Sequence, residues 1–283
     1  MIRDQASQAA LLGNVRAFVR DVAMPAEVRV AAENAMPEDL MGQMRRRGYF
    51  GWSIPEEYGG AGLLTKELAQ ASIELSQAAV AFRAQVGINT GIGSESLIQD
   101  GSAALKRRYL PHLASGALTG ALAPTEPEAG SDATALQTTG VPVGNDAYRL
   151  NGHERYIMLA PIADLFTVFA RTEPGARGKD GITAFLLERG TPGLTTSGST
   201  PKMGQEGAPI GGVFLRDCVV PADNIVGQPG GGFRILMKTL NKQRINLAAL
   251  ATGATSSAAL SASSNWSRPC WQTAKWRLRR HAP

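Results

Sequence analysis

Leu122–Asp132 reads Leu-Ala-Pro-Thr-Glu-Pro-Glu-Ala-Gly-Ser-Asp, and the fold can be read outward from it. The apolar lead Ala121 to Ala123 runs like a strand into Pro124 and Pro127, two residues that forbid a helix. The stretch then opens into Ala129-Gly130-Ser131-Asp132, the composition of a tight polar turn. Gly130 is free to take φ > 0, which would turn successive backbone N–H groups to one side, while Thr125 and Ser131 add hydroxyls without bulk. Such a turn suits a pyrophosphate. Taken alone, a Gly-Ser-Asp would simply cap whatever follows it.

Two further blocks stand behind the turn. One is Leu150-Asn151-Gly152-His153-Glu154-Arg155-Tyr156-Ile157, followed by Ala163 to Arg171. The other runs from Met203-Gly204 to Pro221-Ala222-Asp223-Asn224-Ile225-Val226-Gly227 and on to Gly231-Gly232-Phe233. With Thr125-Glu126-Pro127-Glu128-Ala129-Gly130-Ser131-Asp132, these blocks resemble the signatures of the acyl-CoA dehydrogenase family, FAD enzymes that introduce an α,β double bond into acyl-CoA thioesters. The resemblance runs from about Pro37 to Leu260.

The hydrophobic period supports the same order of parts. Apolar residues at helical spacing follow Asp4 as far as Pro25, where a first helix should end. A second should start at Pro37 and stop at Gly48. Thr65 to Val86 reads as one long helix, and Asn89 to Leu113 as two more broken at Gly101, with Lys106, Arg107 and Arg108 on a solvated face. From Gly116 the period shortens. Leu118–Pro124, Thr134–Val143, Tyr148–Tyr156, Leu165–Arg171, Ile182–Leu187 and Val213–Val220 read as strands. From Gly232 the helical period returns. The expected fold is α+β and multidomain: a helical domain over 1–117, a β-barrel or sandwich over 118–227, the start of a C-terminal helical domain over 228–260, and a basic tail over 261–283.

Composition excludes several classes. The chain has 283 residues, is 43% hydrophobic and carries a net charge of +5, but five of its 29 basic residues lie after Ser261 while all 24 acidic ones precede it. The body is therefore balanced, and no nucleic-acid partner is expected. Two cysteines build neither a disulfide framework nor a metal site and fit a reducing cytoplasm. No run of about 18 apolar residues spans a membrane, and Met1 to Asp4 lacks a signal-peptide pattern. A Rossmann fingerprint fails because Gly91-Ile92-Gly93-Ser94-Glu95-Ser96 lacks its third glycine, and no serine sits in a Gly-x-Ser-x-Gly frame.

The resemblance implies the site. Leu122, Pro124, Thr125, Gly130 and Ser131 would face FAD, with Tyr156, Ile157 and Met158 against its ring; Met158 stands where many relatives have a threonine. Ser131, Asn241 and Arg244 would contact the acyl-CoA substrate, and an intact relative would pass electrons to an electron-transfer flavoprotein and assemble as a homo-tetramer. The base of the family is a glutamate, which in most members lies on a late helix of the C-terminal domain and in a minority sits next to the helix arginine. At the helix position next to Arg244 this chain has Gln243, a neutral amide that cannot take a proton from carbon, so no catalytic residue carries over. A non-catalytic remnant with weak or no flavin binding is the alternative.

The tail after Ser261 is expected to be out of frame. It holds three of the four tryptophans and no acid. One choice of codons that can encode Ser261 to Lys275, preceded by an A and read in the shifted register, gives Ile-Gly-Glu-Phe-Gln-Leu-Val-Gln-Ala-Met-Leu-Ala-Asp-Ser-Lys, which looks like a helix of the family's C-terminal domain.

Overall fold

A computed structural model describes residues 4–261; the basic tail and its expected change of frame lie outside the described residues. The described chain is a bundle of seven helices, a sheet of eight strands, and an eighth helix that returns across both.

The first helix, α1 (Gln5–Phe18), starts as expected from Asp4, whose carboxylate accepts from Ser7 N at 2.9 Å. It does not stop at Pro25. The backbone widens into a π turn over Val19–Ala23, and the proline then stands in the first turn of α2 (Met24–Glu33), where no N–H is needed. Helix α3 (Glu38–Arg46) follows Pro37, and Gly48 ends it at φ 70°. The expected long helix from Thr65 is two: α4 (Thr65–Leu75) and α5 (Val80–Asn89). The break falls where the last helix crosses. A Cβ on Gly253 would stand 2.2 Å from the Ile73 carbonyl oxygen and 2.7 Å from Ser76 Cβ. Helices α6 (Glu95–Asp100) and α7 (Ala103–Ser115) flank Gly101, as the sequence suggests. The bundle closes on Phe18, Tyr49, Trp52 and Phe82, whose rings meet edge-on or tilted at 4.9 to 6.1 Å. Such ring pairs add about 0.5–1.5 kcal/mol each beyond their buried area.

The strands are β1 (Gly120–Ala123), β2 (Thr139–Val143), β3 (Ala147–Met158), β4 (Leu165–Arg171), β5 (Ile182–Glu188), β6 (Leu194–Thr196), β7 (Ile210–Pro221) and β8 (Ile225–Val226). Thr134 to Leu136 is not part of a strand: Asp132 caps a short 3₁₀ turn over Ala133–Ala135 instead. The sheet order is β6-β7-β3-β2-β4-β5-β8, and β1 pairs in parallel with β4. Strands β4 and β5 are buried on both faces for six residues each, which explains their unbroken apolar runs. One layer packs Leu122, Leu165, Phe169 and Ile182 against α7 and the last helix, α8 (Gly232–Ser261), through Ile235 and Leu236. The other closes inside the sheet on Leu150, Phe166, Phe185, Val213 and Cys218. Burial raises the Cys218 thiol to about 11, so it stays protonated and inert.

Helix α8 joins the two bodies. At its start, a Cβ on Gly232 would lie 2.8 Å from Ile182 O, so its backbone rests directly on β5. Further along, Lys238 reaches Asp100 at 3.0 Å and Lys242 reaches the buried Glu95 at 2.7 Å.

Candidate functional site

The signature turn is held from below by a buried acid. Glu126 is 7% exposed, and its two carboxylate oxygens accept from Gln137 N and Thr138 N at 2.7 Å each. Its own N–H donates to Ala129 O at 2.8 Å, which closes the turn on itself. Ser131 is exposed, and Asp132 accepts from Thr134 N and Oγ1 at 2.9 and 2.6 Å, with the hydroxyl bond first in holding its carboxyl below the usual range. So the capping role foreseen for a bare Gly-Ser-Asp is filled by Asp132.

Gly130 differs from expectation. It is not among the residues with positive φ, and a Cβ there would meet only Thr125 Cγ2, at 3.9 Å. The backbone therefore does not require glycine at this position. What a side chain would fill is the open space beside Thr125.

The second block meets the signature directly. Arg155 N donates to Thr125 O at 2.6 Å, which ties the end of β1 to the middle of β3. Beyond that bond β3 shifts register against β7, between Glu154 and Ile157, and Tyr156 sits in the irregularity at φ 58°. A left-handed backbone under an aromatic residue costs about 1–2 kcal/mol. The bulge turns the ring outward: Tyr156 is 53% exposed, with the Arg155 guanidinium 4.7 Å from its centroid. Ile157 is buried in the sheet core, and the half-buried Met158 packs against the helical core. Leu122 is buried in the layer under α8, while Pro124 and Thr125 are half-buried at the rim.

Sequence reading passed over Glu154. It is fully buried, its Oε1 accepts from Thr138 Oγ1 at 2.9 Å, and its Oε2 has no partner. Burial first, and then the nearby Glu126, raises its pKa well above the usual carboxylate range. The signal was present in the alternation of β3, where Leu150 and Glu154 share the inward face. Arg171 is a second such support, donating to the carbonyls of Thr134 and Leu136 at 3.0 and 3.3 Å, so it fixes the lead into β2.

On α8, Asn241 and Arg244 are exposed and bonded to each other, Nη1 to Oδ1 at 2.9 Å. Among the described residues no hydrogen bond or ion pair joins either to the signature turn. Gln243 points inward instead, over Gly91, with its Oε1 buried and unpartnered. The described residues contain no cluster of potential metal ligands and no helix long and apolar enough to cross a membrane.

Comparison with known proteins agrees with these blocks. Residues 5–117 match the family model described as acyl-CoA dehydrogenase, N-terminal domain, and residues 121–218 the model for its middle domain. A Bacillus subtilis acyl-CoA dehydrogenase is 36% identical over 239 residues, covering 84% of this chain and 62% of the relative; the chain thus spans less than two thirds of that protein. Among solved structures, one described as the electron transferring flavoprotein of Acidaminococcus fermentans superposes with a TM-score of 0.87 at 32% identity, covering 95% of this chain and 70% of the other. Another, an acyl-CoA dehydrogenase from Bacillus anthracis complexed with FAD, gives 0.80 at 29% identity, covering 88% and 42%.

Proposed function

Since the chain belongs to the acyl-CoA dehydrogenase family, we propose that its signature turn and Tyr156 form a site for FAD, and that α8 presents the face that meets an acyl-CoA thioester. The observation that carries this reading is the 2.6 Å bond from Arg155 N to Thr125 O, which sets the turn beside an aromatic ring held outward on strained backbone. Strain of that kind persists where the surroundings impose it, and it gathers at ligand sites.

The residues fit a flavin. Gly130 leaves the space beside Thr125 open, Ser131 brings an exposed hydroxyl, and Tyr156 offers a flat apolar face. The half-buried Pro124 and Met158 would flank it, with Leu122 and Ile157 standing behind them in the cores. Bound there, FAD would supply the acceptor for the hydride lost from the β-carbon of the thioester. The chain's own residues would orient that thioester: the Ser131 hydroxyl and the Asn241 amide as hydrogen-bonding groups, and Arg244 as a cation for the phosphates of CoA. The units 1–117, 118–227 and 228–260 are part of the same reading, the second holding the flavin and the third the substrate.

A step these residues do not perform is removal of the α-proton. Gln243 is an amide with no acid–base function near neutral pH, so we infer that this chain binds without efficient turnover. Electron transfer to a flavoprotein partner and assembly into a tetramer belong to the same proposal.

The test is an absorbance spectrum of the purified chain titrated with FAD, followed by acyl-CoA-dependent dye reduction. A flavin spectrum perturbed on binding, with turnover far below that of an intact enzyme, is the expected result. No flavin binding would leave the remnant reading in its place, and rapid dye reduction would overturn the inference about the base.

A further inference from the structure

The signature turn is carried by the residues that follow it. Segment 134–138 leads from the short turn Ala133–Ala135 towards β2, and side chains from elsewhere take both kinds of backbone group along it. Glu126 accepts from the amides of Gln137 and Thr138. Arg171, the last residue of β4, takes the carbonyls: Nη2 donates to Thr134 O at 3.0 Å and Leu136 O at 3.3 Å, and its backbone N donates to Thr138 O at 2.8 Å. An anion thus holds the donors of this segment and a cation its acceptors.

The same guanidinium also grips a second loop. Nη1 donates to Asp180 O at 2.9 Å and Ala176 O at 3.4 Å, and Nη2 reaches Gly178 O at 3.3 Å. These carbonyls lie on the hairpin 172–181 that joins β4 to β5. Gly175, Gly178 and Gly181 take φ of 79°, 60° and 68° there, backbone that a Cβ would make costly. The curl they allow turns three carbonyls onto one cation. The tip, Arg177 to Asp180, is exposed, and the guanidinium fastens it to the segment behind the signature turn. A planar fork holds its donors in fixed directions, so neither loop can shift without loosening the bonds of the other.

We propose that Arg171 is a positioning residue of the flavin site, coupling the 172–181 hairpin to the turn that presents Ser131. This rests on the FAD reading above and adds to it a residue that acts through other residues. The path is short: Arg171 Nη2 bonds Thr134 O, Thr134 N and Oγ1 bond the Asp132 carboxylate at 2.9 and 2.6 Å, and Asp132 adjoins Ser131. Such coupling is reciprocal. A ligand that orders the turn orders the hairpin, and a loosened hairpin weakens the hold on the ligand.

FAD titration of the purified 283-residue chain, read by absorbance, is paired with limited tryptic cleavage at the exposed Arg177, read by mass spectrometry. Saturating FAD is expected to slow cleavage at Arg177 severalfold in the wild type. Arg171→Met is expected to bind FAD about tenfold more weakly, as loss of charge-assisted hydrogen bonds implies, and to be cut at Arg177 equally fast with and without saturating FAD. Arg171→Lys keeps the charge without the fork and is expected to behave like Arg171→Met; wild-type behaviour from it overturns the coupling. Cleavage that FAD does not slow in the wild type, or undiminished FAD affinity in Arg171→Met, overturns the coupling and leaves the FAD reading standing. A wild type that takes up no FAD overturns both. Should Arg171→Met fail to fold, the wild-type cleavage assay decides alone.

Discussion

The signature turn and the α5–α8 seam both bury charge, and they treat it in opposite ways. Under the turn, Glu126 spends both carboxylate oxygens on backbone amides and Arg171 is spread over several carbonyls. Along the seam, Arg83 Nε, Gln243 Oε1, Thr239 Oγ1 and the whole amide of Asn246 have no hydrogen-bond partner among the described residues. The first arrangement supports itself. The second leaves a row of polar atoms unpaired, each at the desolvation cost of a buried group without a partner.

The contrast can be broken at its strongest point. Glu126→Ala leaves the buried Thr138 amide and the part-buried Gln137 amide unpaired and unpins the turn, so we expect a loss of about 3 kcal/mol in urea denaturation together with weaker FAD binding. An unchanged midpoint would show that the turn holds without its acid. Next comes the crossing at Gly253. Adding a methyl there presses on the backbone of Ile73, and Gly253→Ala should cost about 2 kcal/mol; unaltered stability would mean that α8 is free to shift on α4.

A smaller, pH-dependent effect is expected at Glu154, a buried acid with an oxygen unpaired among the described residues. Its folded pKa is raised, chiefly by burial. The folded state therefore holds a proton that the unfolded chain has released, and stability falls as pH rises above the ordinary carboxylate value. Glu154→Gln keeps the shape without the titration. The variant should gain on the wild type between pH 5 and pH 8, and a constant difference across that range would rule out a protonated Glu154. The smallest structural effect belongs to Gly130→Val. Nothing stands close to the added side chain, so stability should change by no more than about 0.5 kcal/mol while FAD affinity drops. Affinity that survives would remove Gly130 from the flavin wall.

Much of the fold was legible because local signals and tertiary context agree. Gly48 ends a helix in the left-handed region, Gly101 separates two, and the apolar runs Leu165–Arg171 and Ile182–Leu187 are strands buried on both faces. Where reading failed, a distant contact decides. Ser76 to Ala79 contains neither glycine nor proline, and its break coincides with the passage of Gly253. Pro25 looks like a stop, yet a π turn ahead of it lets the chain continue. Of the residues proposed for the site, Thr125 and Tyr156 stand in a long motif, and the bond from Arg155 N to Thr125 O brings their two segments together. The burial of Arg83 was not legible, because a charge on a helix gives no local sign of the neighbours that will bury it, and Glu154 was marked only by the alternation of its strand.

Helix α8 has a mechanical consequence. It rests on β5 at Gly232 and on α4 at Gly253, two fixings about 30 Å apart at 1.5 Å per residue, and Lys238 and Lys242 rivet it between them to Asp100 and Glu95. A strut secured in this way resists torque, and rocking of the sheet on the bundle would have to flex it or shear its ionic rivets. Motion at the joint between the two bodies is thereby resisted, and what is left free to move without loading the frame is the exposed Tyr156 ring and the Ser131 side chain at the rim.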